Sequence, residues 1–179
     1  WRQRSSRHLT IALILLYSLG FGLSPWYAAF MMRSHGMATG ELGLWLGLIF
    51  GLGGIAGILA GGWVANRWFV HDEKGQMHLS AVTVACLVPC FVAFLTLPHK
   101  HHALLALIPL IGVFSFFIAP IYALMQRLVP DEMRATTLAV LMLLANLIGM
   151  GLGPQVVGIL SDMLRAVAGE DSLRHAMLA

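Results

Sequence analysis

The chain has 179 residues, of which 59% are hydrophobic and 11% charged, with a mean hydropathy of +0.82; soluble domains average about 45–50% apolar and about 25% charged residues, so this balance belongs to a membrane. The formal net charge of +3 and the pI near 9.2 come from basic residues scattered over several connecting segments, not gathered in one stripe, which argues against a nucleic-acid partner. The only two cysteines, Cys86 and Cys90, stand four apart in an apolar run, a spacing of neither a zinc site nor a redox pair, and read as small buried hydrophobes.

The opening, WRQRSSRH, is basic and leads into an apolar run too long for a signal-peptide core and closed by no small-residue cleavage site. About 20 apolar residues cross a bilayer core, and five stretches qualify: 9–32, 42–65, 79–98, 103–126 and 135–160. None contains Asp, Glu, Lys or Arg, as the cost of burying charge in lipid requires. The fold class expected is therefore all-α, a polytopic membrane bundle. Alternate connections then face opposite sides. Arg2, Arg4, Arg7, Arg67, Lys74, Arg127 and Arg134 share one side against Arg33, Lys100, Arg165 and Arg174 on the other, which places the N-terminus in the cytoplasm.

In the first span, GFGLSPW interrupts the helix with Gly20, Gly22 and Pro25. Trp26 beside this break has two readings, an interfacial anchor near Arg33 or the lining of a solute path. Tyr17 is a further lining candidate. In the second span, Gly43, Gly47, Gly51, Gly54, Gly57 and Gly61 fall within roughly 120° of arc at helical periodicity, a smooth face expected to pack on protein. The tract HKHH, His99 to His102, crowds three histidines into one turn with no nearby acid, so no metal is expected. Tyr122 in the fourth span is another lining candidate, and Gln126 abuts Arg127 at the water interface.

Asp131 and Glu132 precede the fifth span, where acids oppose the positive end of the helix dipole and Asp131 is placed to act as N-cap. A second reading joins Asp131 and Arg134 to Arg127 and Arg67 in a cytoplasmic charge network. Asn146 reads as the strongly hydrogen-bonding amide deep in a span, bonded either to another helix or to a solute in a pocket. Gly149 and Gly153 form a GxxxG pair, and Pro154 is expected to bend the helix beside it. The closing SLRHAMLA reads as the first turn of a sixth helix cut short. No nucleophile with a base, paired acids or phosphate loop is present, so an enzyme and an organic cofactor are not expected.

Three patterns resemble one family. GGWVANRW after the second span is similar to the cytoplasmic loop signature of the major facilitator superfamily, with Gly62, Asn66 and Arg67 on matching positions and Asn66 where the family prefers aspartate. VPDEMRATTLAV resembles the loop entering the eleventh helix. GLGPQVVGILSD resembles the segment within that helix, and SPWYAAFMMRSHGMATGELGLWLG looks like the spinster-type seventh helix and following loop.

The resemblance implies that residues 1–179 are a C-terminal six-helix half, helices seven to eleven plus the start of twelve, whose N-terminal half is absent from this chain. It implies alternating access in a bacterial inner membrane, with a lipid-like or amphipathic organic solute as partner. Because the spans lack ionisable groups, proton coupling would reside in the absent half. Related members that carry organic anions or drugs, and a non-transporting assembly protein, are the alternatives.

Overall fold

The computed structural model describes residues 4–69, 72–127 and 129–178; Arg2 lies outside them. The described elements are all helical: α1 (Arg4–His35), α2 (Thr39–Leu48), α3 (Gly54–Trp68), α4 (Glu73–Thr96), α5 (Lys100–Arg127), α6 (Arg134–Asn146), α7 (Gly153–Ala168) and α8 (Ser172–Leu178). A π-helical turn, Ile49–Gly53, joins α2 to α3, and another, Leu147–Leu152, joins α6 to α7. Each pair is thus one continuous span. Among the described residues five stretches are long and apolar enough to cross a membrane: Leu13–His35, Thr39–Trp68, Lys74–Thr96, Lys100–Leu124 and Asp131–Ala168.

Most helix ends overrun the charge-free stretches read from the sequence. The fifth span continues to Ala168, past Asp162 and Arg165. A charge-free run marks the depth of hydrocarbon, whereas a helix already nucleated continues into water wherever residues of adequate propensity follow. Helices end where glycine supplies positive-φ backbone, at Gly36 (φ 62°) after α1 and Gly169 (φ 57°) after α7. At the start of α4, Asp72 Oδ1 accepts from the Gly75 N–H at 2.9 Å, capping the helix, and Gln76 Nε2 donates to the Phe69 carbonyl at 2.7 Å.

The helices pack as two units. The first comprises Trp1–Gly36 with Met125–Ala179, the second Met37–Leu124. In the first, Phe30, Met31 and Leu173 are wholly buried; in the second, Phe94, Leu95 and Leu107 are. Each unit contains a seam where two backbones meet through glycine. In the second, a Cβ at Gly57 would strike the Gly112 carbonyl of α5, and one at Gly61 the Phe116 carbonyl. In the first, a Cβ at Gly153 would lie 2.8 Å from Gly22 Cα, and one at Gly149 would lie 3.0 Å from Ser18 Cα. Lipid offers helices no hydrophobic reason to associate, so such close approach supplies the attraction.

The six-glycine face of the second span needs correction. Gly54, Gly57 and Gly61 are buried, but Gly43, Gly47 and Gly51 are exposed and meet nothing within 4 Å. The reason is the π turn. One such turn acts as a single inserted residue and rotates everything beyond it back by about 100°. Counted that way, Leu42 and Ile49 fall on one face with Gly54, Gly57, Gly61 and Ala65, and these are the buried residues of the span. Gly43 and Gly47 turn aside.

Gly61→Ala is expected to force α3 from α5 and to cost about 1–3 kcal/mol, the range for an overpacked site. The neighbouring Gly62→Ala, whose new methyl would meet only Ala119 Cβ at 3.7 Å, is expected to be neutral. Thermal denaturation of the two variants in detergent, compared with the unmodified protein, checks both.

Candidate functional site on the fifth span

Gly22 is buried on α1, which runs unbroken from Arg4 to His35 with Pro25 inside it, so the interruption expected at GFGLSPW does not occur, and Trp26 reaches α7 from a continuous helix. The indole N–H donates to the Pro154 carbonyl at 3.1 Å. The ring lies over Gly158, where a Cβ would sit 3.2 Å from it. Trp26 is therefore half-buried, with its polar end committed to the neighbouring helix and not to the water interface. Pro154 stands in the first turn of α7, where a missing N–H costs little. The irregular turn lies immediately before it, with the Gly153 N–H bonded five residues back to the Ile148 carbonyl. The departure from regular helix is thus in Leu147–Leu152 and not at the proline.

Asn146 ends α6 at the mouth of this turn. Its Nδ2 donates to the Met142 carbonyl of its own helix at 2.7 Å, so the interhelical bond considered for it is replaced by an intrahelical one, and the residue is exposed. Tyr17 is buried, its ring 5.0 Å from that of Phe21 and its carbonyl oxygen 3.0 Å from where a Gly149 Cβ would be. Tyr17, Trp26 and Asn146 belong to the first unit, whereas Tyr122 is half-buried in the second. Gln155, exposed in the same charge-free stretch as Asn146, was missed by a sequence reading that singled out one amide.

At the loop entering the fifth span, Arg134 Nη2 pairs with Asp131 Oδ1 at 2.8 Å, and Arg134 Nε donates to the Gln126 carbonyl at 2.7 Å. Asp131 does not cap the helix. Pro130 occupies the cap position without a side-chain bond, because the Asp131 carboxylate is turned to Arg134. Arg127 is exposed in this unit. Asn66 and Arg67 are exposed at the end of α3 in the second unit, with Gly62 half-buried above Ala119. Of the four residues considered for a charge network, the structure pairs Asp131 with Arg134.

Other polar contacts had little signal in the sequence. Lys100 Nζ meets Glu41 Oε1 at 3.2 Å across 59 residues, a separation no local pattern encodes. Arg174 pairs with Asp171 at 3.2 Å and lies over the Phe30 ring, 5.7 Å from its centroid. The Asp72 cap was readable, since Asp is a favoured N-cap residue and stands immediately before the run that opens α4 at Glu73. In the histidine tract, the His99 and His102 rings meet edge to face at 5.3 Å.

Residues 1–163 match the profile of the Major Facilitator Superfamily. The chain belongs to that superfamily. It is 33% identical over 159 residues to an MFS-type efflux pump of Mycolicibacterium smegmatis, an overlap of 89% of this chain and 37% of that protein. Its fold is similar to crystal structures of a bacterial homolog of the human lysosomal transporter Spinster, both inward-facing. The unoccupied form gives a TM-score of 0.84 at 20% identity, covering 98% of this chain and 44% of the other. The occupied form gives 0.79 at 22%, covering 99% and 46%. The chain thus spans less than half the length of these relatives. It is an integral membrane chain of a transporter superfamily, not an enzyme.

Trp26→Phe keeps the ring over Gly158 and removes the bond to Pro154. An expected cost of about 0.5–1.5 kcal/mol, the range for one hydrogen bond, is read as a lowered Tm. Asp131→Asn, at an ion pair whose acid is 80% exposed, is expected to leave Tm unchanged, since such pairs contribute little.

Proposed function

We propose that this chain forms most of a C-terminal six-helix half of a transporter, its five spans corresponding to helices seven to eleven and α8 to the first turns of helix twelve. The whole protein moves a lipid-like or amphipathic organic solute by alternating access, with its N-terminus in the cytoplasm and proton coupling through the other half. The observation that carries this reading is the α1–α7 seam. Gly22 and Gly153 put two backbones in contact beside a π turn, and a smooth contact next to an irregular helix is suited to sliding. The charge-free depth of the spans supports an apolar path and is compatible with a coupling carboxylate in the other half. Export of drug-like organic compounds is the second reading, favoured by the name of the mycobacterial relative.

The test uses the full-length protein in proteoliposomes with monolaurin, an uncharged acyl amphiphile, as probe. Gly153→Leu is expected to abolish monolaurin transport while the protein still reaches the membrane in normal amount. Transport at the unmodified rate in that variant would sink the sliding role of the seam; no monolaurin transport by the unmodified protein would sink the lipid-like solute.

A further inference from the structure

On a regular α-helix, Asn146 and Gln155 would face opposite ways, nine residues being about 180° of turn. The π turn Leu147–Leu152 lies between them. Counted as one inserted residue, it brings Gln155 to within roughly 80° of Asn146, and Thr136 and Asp162 join them inside the same arc. All four are exposed. The buried residues of the span, Leu141, Ala145, Gly149, Val157 and Ser161, fall on the adjoining face, against α1 and α8. The fifth span therefore carries polar side chains along a face that is open between Asn146 and Gln155, with exposed Leu143 and Met150 among them, and that Trp26 covers further on, at Gly158.

Amides at this depth do not face lipid, because an unsatisfied carboxamide in hydrocarbon costs too much. They face protein or a polar cavity, and in this superfamily solute sites lie near the bilayer midplane between repeats. Asn146 has already committed its Nδ2 to the Met142 carbonyl, so its Oδ1 remains to accept; Gln155 offers both a donor and an acceptor. Nine residues separate the two amides by about 13 Å along the axis, and exposed Met150 lies between them. Asp162 shares the arc, seven residues beyond Gln155.

We propose that Asn146 and Gln155 are a two-point hydrogen-bonding site for the transported solute, and that the solute is an elongated amphiphile with a head bearing hydroxyl or amide groups. The π turn is what makes the two amides one site. This rests on the transporter reading above, narrows its solute class, and assigns Gln155 a role.

The test is thiol accessibility in the full-length transporter in proteoliposomes, with Cys86, Cys90 and the other half's cysteines replaced by alanine. Asn146→Cys and Gln155→Cys are each treated with a hydrophilic methanethiosulfonate reagent. Both are expected to react, and monolaurin is expected to slow both several-fold, whereas dodecane, a chain without a head, slows neither. Val156→Cys, exposed but turned about 100° from Gln155, is expected to stay unreactive in lipid. In transport, Gln155→Leu is expected to raise the KM for monolaurin about three- to tenfold, as loss of one hydrogen bond does, with kcat kept, and Gln155→Asn to restore part of it. Absence of labelling at both positions overturns the proposal, since lipid or the other half would then cover this face. Labelling that monolaurin does not slow overturns it too, as an aqueous face without a solute site. Protection without transport would leave the site standing and instead remove the transport reading.

Discussion

A backbone carbonyl or N–H in hydrocarbon must find a partner within the protein, and two apolar helices in lipid have no hydrophobic reason to touch. Both constraints meet at the glycine seams, on which the packing of each unit depends. At Gly57 and Gly61 the α3 backbone rests on the carbonyls of α5; at Gly149 and Gly153 the fifth span rests on Ser18 and Gly22 of α1. Any side chain there would hold the backbones apart and forfeit the dispersion that replaces hydrophobic attraction. The low helix propensity of glycine is the cost of this arrangement, and lipid makes it tolerable by penalising every unpaired alternative.

The two units share one internal plan. Each combines a helix that offers a glycine or a carbonyl to the seam, α1 or α5, with a span broken by a π turn, α6–α7 or α2–α3, and a further helix, α8 or α4. In chain order the first helices are exchanged: the first span joins the fifth, and the fourth joins the second. The π turn recurs in the second and the fifth span.

In both spans the π turn does the same physical work. It resets the helix by about one residue's rotation, so that a face drifting around a regular helix stays aligned. In the second span this aligns Leu42 and Ile49 with the glycine seam, and in the fifth it aligns the buried stripe from Leu141 to Ser161 on one face and the amides on the adjoining one. A wide turn is also a point where one half-helix can adjust while the other remains clamped. In the fifth span the Trp26 bond to Pro154 lies directly beyond the turn.

Composition and the length of the charge-free runs were enough to establish a membrane bundle with five crossings, because the energy of putting charge into lipid is large and local. The loop signature GGWVANRW, the loop VPDEMRATTLAV, the glycine-proline segment and the SPWYAAF stretch carried the family resemblance. The partner of each glycine was not legible, since close approach depends on which backbone lies opposite, nor was the Lys100–Glu41 pair, whose members are distant in the chain. Faces were misread wherever a π turn intervened: a period of 100° per residue put Gly43 and Gly47 in the seam and gave no reason to group Gln155 with Asn146. A π turn is selected by the packing on both sides of it and has no residue code of its own. Hydrophobic content, acting residue by residue, was therefore determined by the sequence alone; helix rotation, which sums over many contacts, was decided only by the tertiary structure.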